Sequence, residues 1–135
     1  MQKSTLLHRQ VHPSFTQDNK ISSQVFEEDK ITNLHITSLV FTPTPKDDNK
    51  LSVYNGDKFT AEESHTHFTA SFQSAGVVSV SVEECESITL SAFEDNNPFN
   101  GHSVIDFKDL GKKDVKAKAK LLKSFAVKRD WSFKK

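Results

Sequence analysis

A basic residue, an aromatic residue and a carboxylate, which together can bind a nucleotide and act on it, occur at positions that one small domain can bring together. Arg9 lies in a mainly apolar stretch, Tyr54 ends a second one, and Glu62 and Glu63 open a segment with helical periodicity. A basic side chain and an aromatic ring can hold a nucleotide, and a carboxylate can stabilise the oxocarbenium ion that forms at a sugar. Arg9, Tyr54 and Glu63 are therefore the candidate catalytic residues.

The kinds and order of these residues are analogous to those that ADP-ribosyltransferase folds use. The analogy predicts a nucleotide- or NAD-utilising enzyme with Arg9, Tyr54 and Glu62 or Glu63 in one cleft. A purely structural interpretation is favoured, in which Arg9 pairs with a local carboxylate, Tyr54 packs and Glu63 caps its helix. The sequence leaves open whether the protein is an enzyme, and it indicates no cofactor.

A second candidate site is the loop from Pro43 to Asp57, which the rest of the chain is predicted to support. Its prolines hold the chain extended, and Asn55-Gly56 suits a turn with positive φ. A stiff loop that presents Lys46, Asp47 and Tyr54 is suited to binding a partner protein. These three residues are the candidate binding residues of the loop.

The six histidines and the single cysteine form no recognised metal-binding pattern. His65 and His67 are two positions apart, so they point in different directions on a helix, and His65 is expected at the edge of the core. His35–Thr37 has the H-x-T form of two-histidine phosphoesterases, which need a second copy on a partner strand. The nearest candidates are His67–Thr69, which is predicted in a helix, and His102–Val104, which lacks the hydroxyl, so this function is disfavoured. Cys85 stands among glutamates, which raise the pKa of a thiol and disfavour a reactive thiolate. No metal site is predicted.

Charge is divided unevenly along the chain. Residues 1–107 carry seven Lys and Arg against 15 Asp and Glu, whereas residues 108–135 carry 11 against three. Within the basic part, Lys116, Lys120 and Lys123 are predicted on the polar side of a helix, where they could contact phosphates. Nucleic-acid binding through this helix is an alternative, although packing of a basic helix across an acidic body is favoured.

Length and composition indicate one cytoplasmic domain. The 135 residues can form one modest core, and eleven phenylalanines offset a hydrophobic content of 35%. No apolar run is long enough to span a membrane or to serve as a secretory signal, and a lone cysteine fits a reducing compartment. The four glycines form no P-loop, Rossmann or hydrolase-elbow motif.

Alternating apolar residues predict several strands. They fall at Leu6–Val11, Ile21–Phe26, Leu34–Phe41, Leu51–Tyr54, Val77–Val82, Ser87–Ala92 and His102–Phe107, with Trp131–Phe133 as a short edge strand or docked tail.

Two segments have helical periodicity. The first begins with a capping box at Thr60–Glu63, places Ala61, His65, Phe68 and Phe72 on one face, and ends near Ser74. The second runs from Lys112 to Arg129, with an apolar face formed by Val115, Ala119, Leu122 and Ala126. The sequence predicts a single α+β domain over residues 1–135, with two helices packed on a mixed or mostly antiparallel sheet.

Several segments together resemble a family of small bacterial proteins to which no activity is assigned. They are HPSF at His12–Phe15, SSQVF at Ser22–Phe26, TPKD at Thr44–Asp47, LSVYNGD at Leu51–Asp57 and HSVIDF at His102–Phe107, with the lysine-rich last helix. The resemblance implies a bacterial cytoplasmic protein that acts beside the products of neighbouring genes. It brings no catalytic residue, ligand or cofactor.

The leading functional interpretation is an accessory module that binds a partner protein and has no catalysis of its own. Its candidate binding residues are Lys46, Asp47, Tyr54, Lys116, Lys120 and Lys123. The alternatives are the nucleotide- or NAD-utilising enzyme and nucleic-acid binding through the basic helix.

Overall fold

The computed structural model describes residues 1–16 and 36–135. Within these residues the strands are β1 (Leu6–Val11), β2 (Lys50–Asn55), β3 (Gly76–Ser81), β4 (Ser91–Glu94), β5 (His102–Asp106) and β6 (Phe133–Lys134). The helices are α1 (Ala61–Thr69), α2 (Val82–Ser87) and α3 (Lys112–Arg129), and short 3-10 turns cover Pro13–Phe15, Ser38–Phe41 and Pro45–Asp47.

The six strands of the described residues form one antiparallel sheet in the order β4-β5-β2-β1-β3-β6. The first strand in sequence is therefore central, and the last two residues of the sheet, Phe133 and Lys134, form an edge. The predicted α+β class is confirmed. None of the helices in the described ranges is both long enough and apolar enough to cross a membrane.

The sheet has two faces of different chemistry. One face, called the α3 face here, carries Leu7, Val53, Val78, Val80 and Ile105, which belong to the core that also includes the apolar side of α3. The other, called the α1 face, carries His8, Gln10, Tyr54, Ser79 and His102, and residues in and next to α1 bond to it. Because successive side chains of a strand point to opposite sides of the sheet, each strand contributes residues to both faces.

Helix α3 covers its sheet face as the periodicity predicts. Val115, Ala119, Leu122 and Ala126 are buried, while Lys116 and Lys120 are exposed. The prediction was wrong for Lys123, which is only 4% exposed. Val127, one turn after Lys123, is also buried. The second half of the helix therefore buries a wider face than the predicted apolar positions alone.

Helix α1 begins where predicted and ends earlier. The side chain of Thr60 accepts from the Glu63 amide at 3.1 Å, and Glu63 accepts from the Thr60 amide at 2.9 Å, which confirms the capping box. Because the helix ends at Thr69, Phe72 does not continue the buried face and is 66% exposed.

Two further segments differ from the prediction. Ser38–Phe41 forms a 3-10 turn rather than the end of a strand, because the Thr37 hydroxyl accepts from the Leu39 amide and draws the backbone into a turn. Val82–Ser87 forms a short helix that makes a third, capped by Ser81 and Glu84 in a second capping box. The predicted strand Ile21–Phe26 and residue His35 lie outside the described residues.

Candidate functional site

A cleft of about 350 Å³ opens on the α1 face. Strands β1 and β2 form its floor, the end of α1 with the following residues forms one wall, and the loop between β4 and β5 forms the other. The lining residues that carry its chemistry are His8, Arg9, Tyr54, His67, Phe99 and His102.

Aromatic and imidazole rings cluster along this cleft. The Phe99 ring centroid lies 5.1 Å from that of Tyr54, 4.4 Å from that of His67 and 5.3 Å from that of His102. Phe59 backs the cluster, 5.0 Å from Tyr54. Edge-to-face and tilted contacts of this kind stabilise the positions of the rings.

Arg9 lies opposite Val78, so its side chain leaves β1 on the α3 face, and Arg9 borders the cleft at a gap between the two floor strands. β1 and β2 pair only at Leu7–Asn55 and His8–Tyr54, and beyond this point Arg9 Nη1 donates to the Ser52 carbonyl at 2.9 Å. Its Nε donates to the Val40 carbonyl at 2.8 Å. Two backbone carbonyls thus fix a guanidinium that has five N–H donors.

The charge of Arg9 has no carboxylate partner in residues 1–16 and 36–135. Over that range the predicted pairing with a local carboxylate is not found, and backbone carbonyls hold the side chain instead. Burial lowers the pKa of Arg9 to about 10, so the side chain still carries its positive charge at neutral pH.

Tyr54 is 7% exposed and contributes its ring and hydroxyl to the cleft. Its Oη lies 2.8 Å from Nδ1 of His67. Burial raises the pKa of Tyr54 to about 12, which keeps the phenol neutral at physiological pH. A neutral hydroxyl can donate to a neutral imidazole or accept from a protonated one, so it holds His67 in either state.

His102 forms a second polar pair in the cleft. Its Nδ1 donates to Asp95 Oδ1 at 2.5 Å, and this bond joins the two ends of the loop between β4 and β5. Among the described residues, Nε2 of His102 and Nε2 of His67 make no hydrogen bond. Each imidazole is therefore oriented through one nitrogen and presents the other for further interactions.

His8 is a structural part of the floor. Its Nε2 donates to the Phe59 carbonyl at 3.1 Å, and its Nδ1 accepts from the Ser79 hydroxyl at 2.7 Å, which in turn accepts from Ser132 at 2.7 Å. Desolvation lowers the pKa of His8, while the bond to Phe59 acts in the opposite direction. Ser79 is fully buried, so this serine–histidine chain fixes the sheet and presents no nucleophile.

The structure brings together two of the predicted catalytic residues. Arg9 and Tyr54 both line the cleft, whereas Glu62 and Glu63 are exposed in the first turn of α1 and are absent from its lining. Glu63 is held by the capping box. The carboxylate required by the ADP-ribosyltransferase analogy is therefore not supplied to the cleft by either glutamate.

The loop residues and Tyr54 are separated. Lys46 and Asp47 are exposed in the turn before β2, where Asp47 accepts from the Thr44 hydroxyl at 2.8 Å. Tyr54 lies near the far end of β2, and because a strand rises about 3.4 Å per residue, the two ends are roughly 15 Å apart. Lys46 and Asp47 thus form a surface separate from the cleft, and binding of a partner protein there stays a prediction.

The exposed lysines of α3 also lie away from the cleft. Lys116 and Lys120 are on the helix that covers the opposite face of the sheet. Lys123 is buried and does not belong to an exposed phosphate-binding row. Nucleic-acid binding through α3 stays a prediction that rests on the exposed lysines.

His65 and Cys85 lie in packed positions. His65 is 8% exposed and its Nε2 donates to the Ser74 carbonyl at 3.1 Å, as expected for a histidine at the edge of the core. Cys85 is fully buried, and burial together with Glu84 and Glu86 raises its pKa to about 12. Burial is the larger cause, whereas the sequence indicated only the glutamates. Within the two described ranges there is no group of three or more His, Cys, Asp or Glu side chains that could hold a metal ion.

Four residues of the cleft are not among the site residues predicted from the sequence. His67, Phe99 and His102 line it, and Asp95 orients His102. The sequence offers His67 and His102 only as disfavoured partners of His35, and it gives no role to Phe99 or Asp95. Asp95 and His102 flank a turn-rich loop, which is the local signal that could have paired them across a hairpin. The contacts of Tyr54 with His67 and Phe99 depend on tertiary structure and have no sequence signal.

The chain matches no model of a known protein family, no curated protein and no solved structure.

Proposed function

We propose that the protein binds a small organic anion with a planar ring, of the size of a mononucleotide, in the cleft on the α1 face. The observation that carries this proposal is one arginine in an aromatic cleft. Arg9 borders the cleft that Tyr54 and Phe99 also line, and within the described residues no carboxylate neutralises it.

The walls favour a planar ring. Ligand sites in proteins are mostly apolar or aromatic, with a few polar groups that fix orientation. Tyr54, Phe99 and His67 are already packed against one another, so their rings are held in place before a ligand arrives. A ring that stacks on them gains contact area without the entropy cost of ordering these side chains.

Charge favours an anion. Arg9 is fixed by the carbonyls of Val40 and Ser52 and remains positive at neutral pH, and its remaining N–H donors can serve an anionic oxygen. The two lining histidines add donors or positive charge when protonated. The carboxylate next to the cleft, Asp95, is engaged with His102.

Size favours one ring system with one anionic group. A volume of about 350 Å³ lies near the small end of the range of about 300–1,000 Å³ that is typical of ligand sites. A dinucleotide would extend well beyond the cleft. We therefore favour a mononucleotide-sized ligand over NAD.

Isothermal titration of the purified protein with a nucleoside 5′-monophosphate, its nucleoside and inorganic phosphate separates the two contributions. We expect the monophosphate to bind at least about tenfold more tightly than either part, because only it uses both the rings and Arg9. Equal affinity for the nucleoside and its monophosphate would show that Arg9 does not bind the phosphate group. Absence of binding by all four common monophosphates and by aryl phosphates would overturn the proposal.

Two pairs of variants assign the binding to this cleft. Arg9→Gln should weaken monophosphate binding by about 10- to 100-fold, since a hydrogen bond to a charged group contributes about 1.5–3 kcal/mol. The matched control is Arg129→Gln, because Arg129 bonds to Ser79 and Glu84 outside the cleft. Phe99→Ala should also weaken binding, whereas Phe93→Ala in the same hairpin should not, since Phe93 does not line the cleft.

A further inference from the structure

We infer that the cleft also hydrolyses its ligand as a phosphate ester, with His102 as general base and His67 as general acid. This inference rests on the proposed function, because the substrate must first bind beside Arg9. It goes beyond binding by giving the two lining imidazoles distinct roles.

His102 has the geometry of a general base. Its Nδ1 bonds to the Asp95 carboxylate, which fixes the tautomer with the proton on Nδ1 and leaves the lone pair on Nε2. The carboxylate also stabilises the imidazolium that forms when Nε2 takes up a proton. The His102 side chain is 12% exposed and lines the cleft, and Nε2 is the ring nitrogen that is left for a water molecule.

His67 has the geometry of a general acid. Its Nδ1 lies 2.8 Å from the Tyr54 hydroxyl, which can accept from Nδ1–H while the imidazole carries two protons. The same hydroxyl can donate to Nδ1 after Nε2 has given up its proton. Tyr54 therefore holds the ring in place throughout a proton transfer and acts as a positioning residue.

The two imidazoles lie close enough to act on one substrate. Both rings contact Phe99, at centroid distances of 4.4 and 5.3 Å, so their centroids are no more than about 10 Å apart. An acid and a base on opposite sides of a phosphorus atom and its attacking water need a separation of this order, as they do in inverting glycosidases. Arg9 is in the same cleft and can bind the non-bridging oxygens.

The reaction is a hydrolysis in which atoms and charges balance. Nε2 of His102 takes a proton from water while the water oxygen bonds to phosphorus. The bond between phosphorus and the ester oxygen breaks, and that oxygen takes the proton from Nε2 of His67. The products are an alcohol or phenol and a phosphate with one ester group fewer, and proton exchange with solvent restores both histidines. Nothing is oxidised or reduced.

The test uses the purified full chain with p-nitrophenyl phosphate and phenyl phosphate as substrates, which each carry one ring and one phosphate group, in the presence of a chelator. We expect turnover of both by the unaltered protein. His102→Gln should lower the rate on both by at least about 100-fold, the usual contribution of a general base. Asp95→Asn should lower it by about tenfold or more with unchanged substrate affinity, because it weakens the base without removing it.

The leaving group distinguishes the acid from the base. His67→Gln should have little effect on p-nitrophenyl phosphate, because p-nitrophenolate leaves without a proton. It should lower the rate on phenyl phosphate by about 100-fold, because phenolate needs a proton to leave. A merely structural His67 would lower both rates equally. The control is His12→Gln, since His12 is exposed and bonds to Ser14 outside the cleft.

The outcomes separate this inference from the proposed function. A protein that binds aryl phosphates in the titration but turns over neither ester overturns the hydrolytic role and leaves the binding proposal intact. Equal loss of rate and of binding in His102→Gln, a rate abolished by the chelator, or turnover of p-nitrophenyl acetate alone would also overturn it. If the protein binds neither aryl phosphates nor mononucleotides, the proposed function itself is overturned.

Discussion

The two faces of the sheet bury side chains by different means. On the α3 face, Leu7, Val78 and Val80 pack against apolar residues of the helix, and water exclusion provides the free energy. On the α1 face, His8, Gln10 and Ser79 are almost as well buried, at 5%, 7% and 0% exposure. They are buried as polar groups, each with a hydrogen-bond partner.

This difference indicates a division of labour between the faces. A buried polar group is costly unless it is paired, and in residues 1–16 and 36–135 no buried polar side-chain atom lacks a partner. A face built only for stability could use apolar residues at these positions. The polar network instead fixes the floor of the cleft, so the α3 face mainly stabilises the fold and the α1 face mainly positions ligand-binding groups.

The largest predicted effect is on the α3 side. Phe107→Ala should lower the free energy of unfolding by about 3–5 kcal/mol, because Phe107 is fully buried in the core and its loss leaves a cavity. Chemical denaturation followed by the fluorescence of Trp131 measures this. Among molecules that remain folded, ligand affinity should be unchanged, and a selective loss of affinity would break the proposed division.

A smaller loss of stability is predicted in the polar network. Ser79→Ala removes the donor to His8 Nδ1 and the acceptor for Ser132, which should cost about 1–3 kcal/mol. The matched control is Ser103→Ala, because Ser103 is equally buried but has only a long contact, 3.9 Å, to the Met1 sulfur. If both variants lose the same stability, hydrogen bonding is not what holds the α1 face.

A phenylalanine of the cleft should affect ligand binding more than stability. Phe99 is partly exposed and interacts through ring contacts, so Phe99→Ala should cost about 1 kcal/mol of unfolding free energy. Its affinity for a mononucleotide should fall by at least about tenfold. Phe99→Ala and Phe107→Ala make the same substitution on the two faces of the sheet. A larger loss of stability in Phe99→Ala, or a larger loss of affinity in Phe107→Ala, would contradict the comparison.

The smallest predicted effect is a pH dependence that arises from His8. Because burial lowers the pKa of His8 below its ordinary value of 6.5, the unfolded chain takes up a proton there more readily than the folded one. The contribution of His8 to the free energy of unfolding should therefore be constant above this pH and decrease as the pH falls below it. In denaturation from about pH 8 to about pH 5, His8→Gln should show a weaker decrease than the unaltered protein. Identical pH profiles would mean that His8 is not held neutral.

Local patterns predicted those elements that local physics determines. The alternation in β1, the capping box of Thr60 and Glu63 and the apolar side of α3 each depend on near neighbours in the sequence, and all are confirmed. The capping box at Ser81 and Glu84, which starts α2, is an equally local signal. Residues Ser38–Phe41 favour extended structure, which is why the sequence predicts a strand there, whereas the hydroxyl of Thr37 and tertiary packing draw them into a turn.

The cleft could not be predicted from the same patterns. Arg9 and Tyr54 were singled out by residue type, but their neighbours His67, Phe99 and His102 come from three other parts of the chain. The sheet register places Tyr54 opposite His102, whereas the packing of α1 and of the loop between β4 and β5 brings His67 and Phe99 to Tyr54. Glu63 follows Tyr54 closely in sequence, which made it a candidate, yet it caps a helix outside the cleft.

Amide and side-chain NMR shifts, recorded while a nucleoside monophosphate is added, test the central claim most directly. The account predicts that the perturbed residues cluster on the α1 face, with Tyr54, His67, Phe99 and His102 among the largest changes and with little change at Lys116 and Lys120. Perturbations centred on the α3 lysines would contradict the account and favour nucleic-acid binding by that helix. Perturbations centred on Lys46 and Asp47 would contradict it as well and return attention to the loop before β2.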